Sequence, residues 1–257
     1  MIDDISQVLR DWPFASESGL QVRTVEGRDG TPKLQIRIDL GVLQMETVGR
    51  PDGIRPFGRE SLLDHYRQTA EEHRARTGWY EGFELSTSDC AALRQESLQY
   101  YHRRITRMAL QDYAGAVQDA DHNLSILELL KAFARDREDW LASDQYRPFI
   151  MSHRVQALAL MHLSGREDVK AAFVEVERGI RQVKEIFAEQ QRLDEFEDSS
   201  EYASLDELRR KLEARYGISY RQRLRLMLDD ALRREDPDQA SELRSQLRRL
   251  ETTPDNP

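Results

Sequence analysis

The densest polar chemistry in the chain is the run Gly49-Arg50-Pro51-Asp52-Gly53-Ile54-Arg55-Pro56-Phe57-Gly58, where two arginines flank one aspartate. Arginine offers forked donors, so Arg50 and Arg55 around Asp52 have the residue types of an anion- or carboxylate-binding loop. Three glycines and two prolines in these ten residues exclude regular structure. The preferred reading of them is a rigid surface loop in which Asp52 pairs one arginine internally. The run matches neither GxxxxGK[ST] nor GxGxxG, so nucleotide chemistry has no motif here. Cys90 falls near the start of a predicted helix, where a thiol can be acidified, but no histidine is spaced to act on it. His65, His73, His102, His122, His153 and His162 show no HExxH or comparable ligand spacing. Asp119, Asp121 and His122 are neighbours in sequence, yet adjacent helix positions point in different directions. No catalytic group, metal ligand or cofactor is assigned, and the chain is expected not to be an enzyme. A site formed only in three dimensions around Arg50, Asp52 and Arg55 is the exception left open.

The elements that would position these residues read as mainly α. Residues 1–87 form an N-terminal α/β part. Ile2, Ile5, Val8 and Leu9 make a short amphipathic helix that ends before Trp12-Pro13. Leu20 to Glu26 is strand-like, Gly27-Arg28-Asp29-Gly30 supplies a turn, and Lys33 to Glu46 resumes with Leu34, Ile36, Ile38 and Leu40 alternating against Gln35, Arg37 and Asp39. The resulting β-hairpin has one buried face. It must pack on helices, pair with further strands or dimerise through an edge. Ser61 opens a helix that ends near Thr77, and Trp79, Tyr80 and Phe83 form an aromatic connector that fills core.

Residues 88–198 read as a helical domain. Ala91, Leu98, Tyr101, Ile105 and Met108 form a heptad-like seam, Asp112-Tyr113 breaks it, and Ala116, Ala120, Leu124, Leu127 and Leu130 form the next stripe. After a loop around Trp140 and Pro148 come Ile150 to Leu163, a break at Ser164-Gly165, and a stripe from Val169 to Phe187. LQDYAGAVQDA (Leu110 to Ala120) and LSGREDVKAAF (Leu163 to Phe173) resemble tetratricopeptide-type repeats, which implies stacked antiparallel helix pairs with a partner-binding groove. The two segments lie 53 residues apart, against a family period of about 34, and the family's tryptophan and proline positions are not reproduced. Asp194 to Glu201 (DEFEDSSE) reads as an acidic hinge or linker.

Residues 204–251 hold the C-terminal helices, and 252–257 read as a disordered tail. Ser204-Leu205-Asp206-Glu207 is a capping box for a helix ended by Gly217, and Ser219 to Gln222 is another. Tyr220, Leu224, Met227, Leu228, Ala231 and Leu232 form one apolar stripe, and Ala240, Leu243, Leu247 and Leu250 a second. Between them Asp236 caps a new helix with Pro237 at its first position. This helical hairpin, best in Glu235-Asp236 and Gln239-Ala240-Ser241-Glu242-Leu243-Arg244, resembles the UvrB/UvrC (UVR) motif over Leu224 to Glu251. The resemblance implies protein–protein contact, often between two copies of the motif. The chain departs from the family at Pro237, usually aromatic, and at Ser245, usually acidic. Those departures bear on partner identity more than on fold.

With 257 residues, 39% apolar and 33% charged, the chain is expected to be soluble and rich in helix. Its net charge of −9 argues against sequence-independent DNA binding by the whole chain. Arg209 to Arg249 nevertheless carries twelve Arg/Lys against seven Asp/Glu, a net +5 that leaves −14 elsewhere. The single cysteine excludes an internal disulfide and a Cys-rich zinc site, and so fits a reducing cytoplasm. It also separates the chain from UVR-containing arginine-kinase activators, which carry paired CxxC modules. No stretch is long and apolar enough for the membrane, and no secretion signal is read. The expectation is a non-catalytic, cytoplasmic bacterial adaptor or scaffold without cofactor. It would use Leu224, Met227, Leu228, Ala231, Leu232, Ala240, Leu243, Arg244, Leu247 and Leu250 to self-associate into a homo-oligomer or to bind another UVR-motif protein. The rival is a DNA-repair accessory factor whose basic tail, with Arg244, Arg248 and Arg249, contacts phosphate.

Overall fold

The computed structural model describes residues 4–17 and 19–252, and the chain divides into two compact units, Met1–Ile150 and Met151–Pro257. It is mainly helical, with a small three-stranded antiparallel sheet near the N-terminus followed by antiparallel helix pairs. Ile2 and residues 253–257 of the expected tail lie outside the described residues.

The first unit begins with α1 (Ser6–Asp11), which buries none of its residues. The sheet follows as β1 (Val22–Glu26), β2 (Pro32–Ile38) and β3 (Gly41–Glu46), in the order β1-β2-β3. Where the alternation predicts one strand from Lys33 to Glu46, the chain turns at Asp39-Leu40, and Leu40 is 85% exposed. A two-residue turn preserves the two-residue period, so the pattern runs across it unbroken in sequence. On one side of the sheet Leu34, Ile36 and Met45 pack against Ile105 and Leu110. On the other, Arg23 Nε donates to Gln35 (2.8 Å) and Gln35 Nε2 to Gln44 (2.9 Å), while Lys33 pairs with Glu46 (2.6 Å). Arg37 Nε donates to the Trp12 carbonyl (2.7 Å), and Arg23 stacks over the Trp12 ring. The N-terminal strap thus covers the polar side, and β2 is buried on both faces.

Helices α2 (Leu62–Thr77), α3 (Thr87–Ala109), α4 (Tyr113–Phe133) and α5 (Arg137–Asp144) complete this unit. Ser61 caps α2, and left-handed Gly78 ends it. Ser86 and Asp89 form a full capping box on α3. The core gathers Leu62, Leu63, Leu85, Cys90, Leu93 and Leu130, with Phe83 and Phe133 against it. Of the aromatic connector only Phe83 joins this core; Trp79 is 73% exposed. The expected loop around Trp140 is α5, and Pro148 sits in the first turn of α6 (Arg147–Arg166), where a missing N–H is tolerated.

The second unit is built on α6 and α7 (Val169–Glu189), α8 (Ser200–Tyr216), α9 (Tyr220–Arg233) and α10 (Pro237–Thr252). The expected break at Ser164-Gly165 lies inside α6, and the chain turns at Glu167 instead. A Cβ on Gly179 would stand 2.4 Å from both methyls of Val155, so glycine sets how closely α6 and α7 approach. The acidic stretch is no open linker. Phe196 is 3% exposed, meets the Phe187 ring edge-on and the Tyr202 ring at a tilt, and joins Val155, Val183 and Leu205 in one cluster. Ser199 caps α8, so the helix starts before the predicted Ser204, whose hydroxyl instead donates to the Glu201 carbonyl.

Candidate functional site

The glycine-rich loop is fastened from below, and its three charged residues serve different partners. Arg50 lies 3.2 Å from Glu96 and 3.5 Å from Asp52, and Asp52 also accepts from Gln99 Nε2 at 2.9 Å. Arg55 pairs with Glu60 at the surface. Asp52 therefore pairs internally with Arg50, and Arg55 stands apart from that pair.

Beneath the loop, α3 presents an ionic face. Glu96 is fully buried, accepts from the Leu62 and Leu63 amides (2.7 and 3.2 Å), and lies 3.0 Å from His122 Nε2. The His122 ring stacks on Tyr100 at 3.6 Å. Arg103 donates to Asp119 and to the carbonyls of Glu46 and Gly49, and Arg107 to the carbonyls of Gly115 and Thr47. Arg103 and Arg107 spend most of their donors on backbone carbonyls, so the arrangement is a clamp on the chain's own backbone, although Arg107 Nε is buried without a hydrogen bond. It corrects the heptad seam: Leu98 is 45% exposed and Ala91 is exposed, while Glu96, Arg103 and Arg107 point inward. Cys90 is buried, and burial pushes its thiol up to about 11, which makes it a poor nucleophile. Among the described residues no group of three or more His, Cys, Asp or Glu could hold a metal, and no helix is long and apolar enough to cross a membrane.

The C-terminal hairpin carries the other candidate residues. Ser219 and Gln222 form a full capping box on α9. Asp236 caps α10 by accepting from Gln239 N at 3.1 Å, with Pro237 at the first helical position. The expected open apolar seam is largely closed by the hairpin itself. Leu224, Met227, Ala231, Ala240 and Leu243 form one buried cluster, with Leu228 and Leu247 partly buried beside it. Two stripes on antiparallel helices joined by a short turn face each other first. A second side of α9 faces α7: Arg223 pairs with Glu177 (3.0 Å), Asp230 with Arg178 (2.8 Å), and Leu226 joins the cluster around Phe173.

What remains outward is smaller and more specific. Leu232 is 48% and Leu250 40% exposed, Leu228 is half-buried, and Arg225 and Arg244 are exposed. Arg225 follows the seam residue Leu224, and Arg244 follows Leu243. In antiparallel helices a step of about 100° past the seam falls on the same side of both, so the two arginines flank the Leu228–Leu232 ridge opposite α7.

One signal escaped the reading of the sequence. Gln111-Asp112, Glu167-Asp168 and Glu235-Asp236 make the same turn, with φ of 62°, 47° and 56° at the first residue. Each aspartate then caps the next helix, accepting from Gly115 N, Ala171 N and Gln239 N. Four residues beyond each aspartate stands a buried alanine: Ala116, Ala172 and Ala240. Part of the UVR resemblance is thus the turn this chain uses in three helical hairpins. The chain matches no protein-family model, no curated protein and no solved structure. The UVR and tetratricopeptide resemblances rest on the residues quoted for them.

Proposed function

We propose that this chain is a non-catalytic docking protein of the cytoplasm, whose C-terminal hairpin binds another protein or a second copy through its outward face. The observation that carries this reading is the ridge of Leu228 and Leu232 flanked by Arg225 and Arg244, an apolar centre with a charged rim. Leu224, Met227, Ala231, Ala240 and Leu243 support it from within, by fixing the spacing of the two helices. The UVR resemblance, covering the same hairpin, points to the same kind of contact.

Leu232→Glu in the full chain tests it, because that position is half open and its substitution leaves the buried cluster intact. Proteins retained by the wild type from its source cell should be lost by L232E and kept by Leu141→Glu, a control at an equally exposed leucine of α5. If L232E retains the same proteins as the control, the hairpin is not the docking element.

A further inference from the structure

The corner between α7 and α8 has the opposite character to the hairpin face. Leu193 is 48% exposed there and is followed in sequence by exposed Asp194, Glu195, Glu197 and Asp198, of which Glu195 pairs with Arg192 at 2.7 Å. Phe196 pins the corner by burying its ring against Phe187 and Tyr202, so Asp194, Glu197 and Asp198 project from a fixed base. An apolar centre rimmed by acids complements an apolar ridge rimmed by arginines. Both surfaces belong to the same unit. A two-fold pair would therefore satisfy each of them twice, with the hairpin of one molecule on the corner of the other.

Resting on the docking reading of the hairpin, we propose that its partner is the acidic α7–α8 corner of a second copy of this chain. The apolar part, Leu228 and Leu232 against Leu193, supplies contact area. The pairing of Arg225 and Arg244 with Asp194 and Glu197 fixes orientation. This contact joins two different surfaces, so mixing variants tests it.

Sedimentation equilibrium of the full chain would compare the wild type, R225E/R244E, D194K/E197K and an equimolar mixture of the two variants. All four substitutions fall at exposed positions, and circular dichroism checks that each variant is folded. The wild type should dimerise, and each variant alone should show a dissociation constant raised at least about tenfold by like-charge contacts. The mixture should recover wild-type affinity, because each reversed hairpin then meets a reversed corner. A wild type that stays monomeric overturns the proposal, and so does dimerisation untouched by D194K/E197K. In both cases the hairpin reading is decided separately by the retrieval with L232E. Dimerisation untouched by R225E/R244E also overturns the proposal, by placing the contact elsewhere. Loss of dimer in both variants without recovery in the mixture overturns it as well, since the two surfaces then do not meet.

Discussion

Arg103 Nη2 stands 2.7 Å from Asp119 Oδ1, with 4% and 1% of the two side chains exposed. The guanidinium also reaches the Glu46 and Gly49 carbonyls, so one buried pair joins α3, α4 and the end of β3. Removing one partner of such a pair leaves a bare charge in the interior. Asp119→Ala is therefore expected to cost about 3–5 kcal/mol, seen as a lower urea midpoint. Amide exchange over residues 46–53 should accelerate along with it. A loss below about 1 kcal/mol would mean that the carbonyls alone hold the arginine.

Arg104, one residue further along α3, is the converse case. Its side chain is buried beside the Tyr101 and Phe149 rings, Nε and Nη1 have no hydrogen-bond partner, and burial lowers its pKa to about 10. It stays charged at neutral pH, and the rings and the pull of Asp119 offset its burial only in part. Arg104→Met should stabilise the chain by about 1 kcal/mol or more, raising the urea midpoint at unchanged slope. A fall in the midpoint would show that the cation is useful where it lies.

Glu177 supplies a pH test. Burial raises its pKa above the ordinary 4.5, against the opposing pull of Arg223 and Arg209. The folded chain then binds more protons than the unfolded one in the window directly above 4.5. Stability is greatest below that window and declines as pH rises through it. Thermal melts of Glu177→Gln and wild type between about pH 4 and pH 7 should show the decline in the wild type and a flatter profile in the variant. Parallel profiles would contradict the shift.

At the α6–α7 crossing the prediction is steric. Gly179→Ala puts a methyl into Val155 and should lower stability by about 1–3 kcal/mol. The double variant Gly179→Ala with Val155→Ala should recover part of that loss, measured as a coupling energy in the same denaturation series. Purely additive losses would show that the two helices do not touch there.

Local chemistry was the part of this structure written plainly in the sequence. Ser61, Ser219 and Asp236 cap helices as their side chains suggest, and Leu34 and Ile36 turn inward as their alternation requires. Features that depend on distant partners were not. Apolar periodicity weighs leucines, so in α3 it selected Leu98 and passed over Glu96 and Arg103, whose burial makes sense only once Leu62, Gly49 and Asp119 arrive from elsewhere. The acidic run around Phe196 reads as solvated by composition, and one aromatic ring reverses that. In the hairpin the stripes were visible, but which residues close on each other depends on the rotation of both helices. Of the residues expected to bind a partner, Leu224, Met227, Ala231, Ala240 and Leu243 went inward, while Leu232, Arg244 and Leu250 stayed out.

Arg103 and Arg107 grip the carbonyl oxygens of Glu46, Thr47 and Gly49, atoms that every amino acid supplies. Such a grip is blind to side-chain identity. The path of the segment and the groups it displays are thereby uncoupled, and an outward position such as Val48 can accept foreign side chains while the backbone keeps its course. The first unit is, in that sense, a ready-made frame for grafting.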